Sequence, residues 1–106
     1  GGNQQKVVIG RGLLTGPLVM LLDEPSRGVD IGARGEVFDT MRALADQGLA
    51  IVFATSDLLE AQAVADRVLV LAAGRLTADL TIDQATEVAL VAASNGVTAQ
   101  SMETAA

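Results

Sequence analysis

One short stretch limits the possible folds more than any other. Leu18-Val19-Met20-Leu21-Leu22 is an unbroken apolar run, preceded by Thr15-Gly16-Pro17 and closed by Asp23-Glu24-Pro25. An apolar run of this length between turn signals suits a strand buried on both faces, as in parallel sheets. Another apolar run, Ala50 to Ala54, follows a helical stretch from about Ile31 to Gln47. In that stretch Val37, Phe38, Met41, Leu44 and Ala45 share one helical face. Asp30 stands where an N-cap belongs, and Gly48 where the helix stops. Strands alternating with helices predict an α/β layer with right-handed crossovers.

The rest of the chain continues the alternation. Asn3 to Leu14 reads as a helix with Val7, Val8, Arg11 and Leu14 at amphipathic spacing. Gly10 and Gly12 weaken it by roughly 1 kcal/mol each relative to alanine. Asp57-x-x-Glu60 resembles a capping box and opens a short helix to about Ala65. Val68 to Leu71 reads as a third strand, and Ala72-Ala73-Gly74-Arg75 as a turn into a fourth, Leu76 to Leu80. Thr81-x-x-Gln84 is a better capping box and predicts a helix through about Ala92. Residues 1–93 are expected to form one unit. From Ser94 the periodicity fades, and residues 94–106 are expected to be a disordered tail.

Several function classes are excluded. With no Cys and no His among 106 residues, the chain holds neither a disulfide framework, a thiolate or imidazole metal site, nor a histidine acid–base. Its net charge of −6 and lack of a basic patch argue against nucleic acid as a partner. Only two residues are aromatic, both Phe, so the core must be aliphatic. No apolar run approaches the ~18–20 residues of a membrane span, and no signal peptide is visible. The chain opens on Gly1-Gly2 without an initiator Met and is read as a piece of a longer one.

Chemistry concentrates in Asp23 and Glu24. A buried parallel strand delivers its C-terminal residues to the ligand-binding edge of the sheet. Adjacent strand residues face opposite ways, so the two carboxylates would do different jobs. One can hold a magnesium ion, directly or through water, and the other can orient or deprotonate an attacking water. Read alone, Asp-Glu-Pro is equally a polar strand end. The Gly1-Gly2 start suits a helix N-terminus that receives a phosphate, because glycine lets backbone N–H groups come close and the helix dipole favours an anion. Read alone, it is an ordinary flexible entry to a helix.

Four segments in one order carry a resemblance. Gly1-Gly2-Asn3-Gln4-Gln5-Lys6, Leu18 to Glu24, Ser26-Arg27-Gly28-Val29-Asp30, and the Ala50 to Ala54 strand running into Thr55-Ser56-Asp57 together resemble the ATP-binding cassette (ABC) ATPases. Gly1 to Lys6 resembles the signature motif with its leading Leu-Ser removed. Leu18 to Glu24 resembles the Walker B strand. Ser26 to Asp30 resembles the D-loop, with Asp30 at its acidic position. The stretches GGNQQK, DEPSRGVDIGA and DQATEVALVAA further resemble the second cassette of fused double-cassette importers for ribose, galactose or xylose. The likeness covers about residues 1–92. It implies the three-layer α/β fold of P-loop NTPases with a mostly parallel sheet, here incomplete and lacking the strand of the Walker A loop. In the family that strand lies between those at 50–54 and 68–71. Without it, either strand edges are left unpaired or the two flanking strands pair directly.

The resemblance also implies the cofactors ATP and Mg2+, with Asp23 on magnesium and Glu24 on the attacking water. Gly1, Gly2, Asn3 and Gln4 would contact the γ-phosphate held by a partner cassette, and Asp30 would couple the two cassettes. Implied partners are a second cassette, fused or separate, transmembrane permease subunits and, indirectly, a periplasmic sugar-binding protein. The implied location is the cytoplasmic face of the membrane. Two departures stand out. Where most ABC ATPases have a γ-phosphate-contacting His, this chain has Ser56, which can donate a hydrogen bond but cannot become a cation. Ser56 is thus a candidate catalytic residue beside Glu24, and equally a plain helix-entry residue. No G-x-x-x-x-G-K-[ST] loop occurs, and the single lysine, Lys6, lies in no such loop. Two other readings compete: a non-catalytic dimerising or regulatory cassette, and an unrelated receiver-type α/β domain. The receiver-type reading needs an acidic cluster after an N-terminal strand and leaves GGNQQK unexplained. The chain by itself is expected to bind ATP negligibly and to show no ATPase activity. A phosphate-release assay on the purified chain checks this, and saturable, magnesium-dependent turnover would contradict it.

Overall fold

The computed structural model describes residues 16 and 18–98. The helix expected over Asn3 to Leu14, and with it Gly1 to Gln4, lies outside the described residues. The elements in order are β1 (Val19–Asp23), α1 (Ile31–Asp46), β2 (Ala50–Ala54), α2 (Leu58–Val64), β3 (Arg67–Ala72), β4 (Arg75–Thr81) and α3 (Glu87–Ser94). They form two compact units, one ending at Ser56 and one beginning at Asp57, a division the sequence does not announce.

In the first unit β1 and β2 run parallel, in register from Val19 opposite Ala50 to Asp23 opposite Ala54. A parallel pair needs a long connection, and α1 supplies it, packing against β2. Val37 and Met41 are the buried residues of α1, two of those expected on its inner face. On β1, alternation buries Met20 and half-buries Leu22; on β2 it half-buries Ile51 and Phe53. Fully burying a Val or Leu side chain is worth roughly 1.5–3 kcal/mol, which makes Val37, with no exposure at all, an anchor of this unit. Gly48, at φ 103°, ends α1. Its N–H donates to Ala45 O and that of Leu49 to Leu44 O, the paired bonds of a Schellman motif.

The expectation that β1 is covered on both faces is not met among the described residues. Val19 and Leu21 of β1 and Val52 of β2 are more than half exposed. They alternate with the inward residues, and α1 supplies a layer against one face only.

In the second unit β3 and β4 form an antiparallel hairpin. Ala73 and Gly74 close it with φ of 51° and 76°, the two left-handed positions of a two-residue primed turn. The register shifts between Val70 and Leu71, and the extra residue, Thr77, places its hydroxyl 2.8 Å from Ala93 O and 3.2 Å from Val70 O. Val68 and Val70 join Ala61, Ala85, Leu90 and Ala93 in the core, with Leu58, Ala65, Ala78 and Leu80 packed against it. On the exposed face of the hairpin, Arg67 grips Asp79 through two bonds, Nε to Oδ1 at 2.7 Å and Nη2 to Oδ2 at 2.5 Å. The guanidinium holds the Asp79 carboxyl below the usual carboxylate range, chiefly by hydrogen bonding. At a solvent-exposed position such a pair adds little stability.

Asp57 opens α2 as expected, Oδ1 accepting from the N–H groups of Leu59 and Glu60 at 2.9 and 3.3 Å. The last helix begins later than its capping box predicts. Gln84 Oε1 does accept from Thr81 N–H, the return bond of a capping box. The chain nevertheless makes only one turn there, with Gln84 and Ala85 N–H donating to Thr81 O. Ala85 is buried, and another cap, Thr86, accepts from Ala89 N–H to start α3. The helix then runs to Ser94. A further Schellman motif at Gly96 (φ 87°) closes it, with Gly96 N–H on Ala93 O and Val97 N–H on Ala92 O. The described residues run through Thr98; residues 99–106 lie outside them.

The expected α/β architecture is present as a partial fold, with one parallel pair and one antiparallel hairpin as two separate sheets. Within its own unit β2 pairs with β1, and within the other β3 pairs with β4. No helix among the described residues is long and apolar enough to cross a membrane.

Candidate active site at the carboxyl end of the parallel strands

Because β1 and β2 are parallel and level, both deliver their carboxyl ends to one edge, with Asp23 opposite Ala54. The pairing continues one residue past β1, where Glu24 N–H donates to Ala54 O at 2.8 Å. There the chain turns sharply. Glu24 adopts φ 48°, the left-handed region that residues with a side chain seldom occupy. Its carboxylate reaches the loop leaving β2, where Oε1 accepts a hydrogen bond from Ser56 N–H at 2.9 Å. Two of the sequence candidates, Glu24 and Ser56, are thus brought into direct contact through the side chain of one and the main chain of the other. Asp23 and Ser56 are exposed and Glu24 is half-buried.

The segment after Glu24 is built to hold this corner. Pro25 and Ser26 are buried, as is Val29. Arg27 N–H donates to Glu24 O at 2.9 Å and Val29 N–H to Ser26 O at 3.1 Å, two successive turns. Gly28 sits between them at φ 75°. Arg34 Nε, one turn into α1, reaches back to Val29 O at 3.3 Å. Asp30 occupies the N-cap position, and its carbonyl accepts from Ala33 and Arg34 N–H. Its side chain makes no capping bond, although capping was one reading of it. The exposed carboxylate of Asp30 is therefore not used for holding α1.

The arrangement places Asp23, Glu24 and Ser56 together, with Asp30 at the far end of the same connecting loop. Gly1, Gly2, Asn3 and Gln4 lie outside the described residues. The left-handed turn at Glu24 and the use of the Ser56 amide were not legible. Pro25 signals that Glu24 avoids the right-handed helical region, but that bias favours extended backbone. No group of three or more Asp or Glu residues that could cage a metal occurs among the described residues. The donor set nonetheless fits magnesium. That hard cation is commonly held by one or two carboxylates together with water and substrate phosphate, and Asp23 is an exposed carboxylate at the sheet edge.

The chain resembles several known proteins. No family model matches the chain. Over 96 residues, 91% of its length, the chain is 47% identical to the xylose import ATP-binding protein XylG of Moorella thermoacetica. Over the same length it is 49% identical to the ribose import ATP-binding proteins RbsA 2 of Streptomyces avermitilis and RbsA 1 of Streptomyces coelicolor. Its fold matches that of MJ1267, an ATP-binding cassette of an ABC transporter, with a TM-score of 0.69, 25% identity and 88% of this chain covered. The chain belongs to the ABC ATPases. It spans 19% of the length of the three curated relatives and 39% of the solved cassette. The β1 edge and the loop from Ser26 to Asp30 are the segments whose sequence resembles a Walker B strand and a D-loop.

The corner depends on Gly28. A Cβ there would meet open space, so a substitution is penalised through the backbone alone. Gly28→Ala is expected to destabilise the chain by about 1–2 kcal/mol and Gly28→Asn by less, since Asn tolerates the left-handed region. Urea unfolding of the three proteins checks the ranking; an alanine variant as stable as the parent would contradict it.

Proposed function

We propose that this chain is part of an ATP-binding and ATP-hydrolysing subunit that energises sugar import by an ABC transporter. The observation that carries the proposal is the strand-end corner, where an exposed Asp23 adjoins a Glu24 whose carboxylate is tethered at 2.9 Å to the next strand's exit loop. The similarity to xylose and ribose import ATP-binding proteins supports the sugar class. Binding at the cytoplasmic face of the membrane, to permease subunits and a second cassette, belongs to the same reading.

In this mechanism Asp23 would help hold Mg2+, which would supply neutralisation of charge on the phosphates of ATP. Glu24 orients the attacking water and takes its proton. Its tether engages Oε1, and Oε2 is assigned to the water. Ser56 sits at the same edge as a hydrogen-bond donor. Gly1, Gly2, Asn3 and Gln4 serve the nucleotide of the partner cassette. Asp30, whose side chain is not engaged in capping α1, couples the two cassettes. The amide cradle and phosphate lysine of a P-loop are absent from this sequence, so the corner acts only together with a P-loop that another segment supplies.

Glu24→Gln in the intact subunit tests the role. It keeps the side chain's shape and an acceptor oxygen but removes the base. ATP hydrolysis is expected to fall by about 10²–10⁴-fold, with ATP binding retained and sugar uptake lost. Undiminished uptake would favour the rival reading of this cassette as a non-catalytic, dimerising or regulatory one.

A further inference from the structure

We infer that the main-chain N–H of Ser56, rather than its hydroxyl, is the positioning group for the Glu24 carboxylate. This rests on the reading of Glu24 as the residue that activates water.

The geometry carries the inference in three steps. First, residue 24 is tied to the exit of β2 twice over: its own N–H donates to Ala54 O at 2.8 Å, and its Oε1 accepts from Ser56 N–H at 2.9 Å. The chain from Ala54 to Ser56 therefore fixes both the backbone and the head of Glu24. Second, Glu24 is held at φ 48°. That conformation carries a cost for any residue with a side chain, and it persists where surrounding bonds over-determine it. Here one of those bonds is made by the main-chain N–H of Glu24 and the other ends on its carboxylate, so the strained backbone and the functional group are held by the same short segment. Third, a backbone amide is a donor without rotamers. Its direction is set by the chain leaving β2, whereas a serine hydroxyl turns freely. The bond engages one carboxylate oxygen and leaves the other for water, so a single amide both aims the base and leaves it able to act.

If the amide does the positioning, any residue that keeps its N–H can stand at position 56 without releasing Glu24. Proline is the residue that cannot.

The test is steady-state ATP hydrolysis by the intact subunit carrying Ser56→Ala or Ser56→Pro. Misplacing a reacting group by about 1 Å can cost on the order of 100-fold in rate. Ser56→Pro is expected to lower kcat by about that factor while KM for ATP stays within about threefold, because the base is misaimed but the nucleotide contacts remain. Ser56→Ala, which retains the amide, is expected to turn over at least about tenfold faster than Ser56→Pro. An alanine variant as slow as the proline variant would assign the role to the hydroxyl and overturn the inference. So would a proline variant with unreduced kcat. If the parent hydrolyses ATP and Glu24→Gln abolishes it while Ser56→Pro does not, only the positioning role falls. A parent without magnesium-dependent hydrolysis removes both readings. Because proline can disturb the loop, amide hydrogen exchange on this chain gives another readout. The Ser56 N–H is expected to exchange about tenfold or more slowly in the parent than in Glu24→Ala, and equal rates would overturn the inference independently of activity.

Discussion

The parallel hydrogen bonding of β1 with β2 is the constraint on which the candidate site depends. Level pairing from Val19–Ala50 to Asp23–Ala54 brings two strand exits to one edge, something antiparallel neighbours would not do. Everything at the corner is an extension of that ladder: the Glu24 amide on Ala54 O, the Glu24 carboxylate on the Ser56 amide, and the turns through Gly28 that return the chain to α1. A slip of one residue would move Asp23 to the other face and break both Glu24 bonds, because side chains alternate with a period of two. The apolar residues this unit buries include Met20 on the strand and Val37 and Met41 on the helix, and register is strongly specified where one face is buried.

Most of the element order was legible because the sequence is locally consistent. Apolar runs, a spaced helical face and glycine stops agree from Leu18 to Gly48, and the two Schellman closures at Gly48 and Gly96 use the residue type that such motifs favour. Asp57 capped as read. The differences arise where two local signals compete. Thr81 and Gln84 form the bond of a capping box, yet burial of Ala85 and another cap at Thr86 move the helix start to Glu87. Asp30 has the residue type of a cap, but the backbone carbonyl alone serves α1 there. The Glu24 turn had no signal in residue type at all, since a glutamate before a proline gives no reason to expect left-handed backbone. At the site, Asp23 and Glu24 were identifiable from the strand that carries them. The partner that orients Glu24 was not, because a main-chain donor leaves no trace in composition.

The bare apolar face of the first unit bears on how the site works. Val19, Leu21 and Val52 lie on the side of the sheet opposite the inward residues and are more than half exposed, whereas parallel sheets are ordinarily covered on both faces. The ladder that sets the corner thus rests on one layer of packing among the described residues. Asp23 shares this outer face by alternation, while Glu24, turned out of the strand, is anchored through its own bonds. The two carboxylates are held by different means. Asp23 takes its place from the strand, and Glu24 from the loop of the neighbouring strand.

The most direct measurement of the central claim is a crystal structure of the intact subunit with a magnesium-bound, non-hydrolysable ATP analogue. The account predicts the Asp23 carboxylate in the magnesium coordination sphere or one water removed from it, and the Glu24 carboxylate on the γ-phosphate side. A nucleotide bound with its phosphates away from the edge where β1 and β2 terminate, or Asp23 and Glu24 turned from it, would contradict the account.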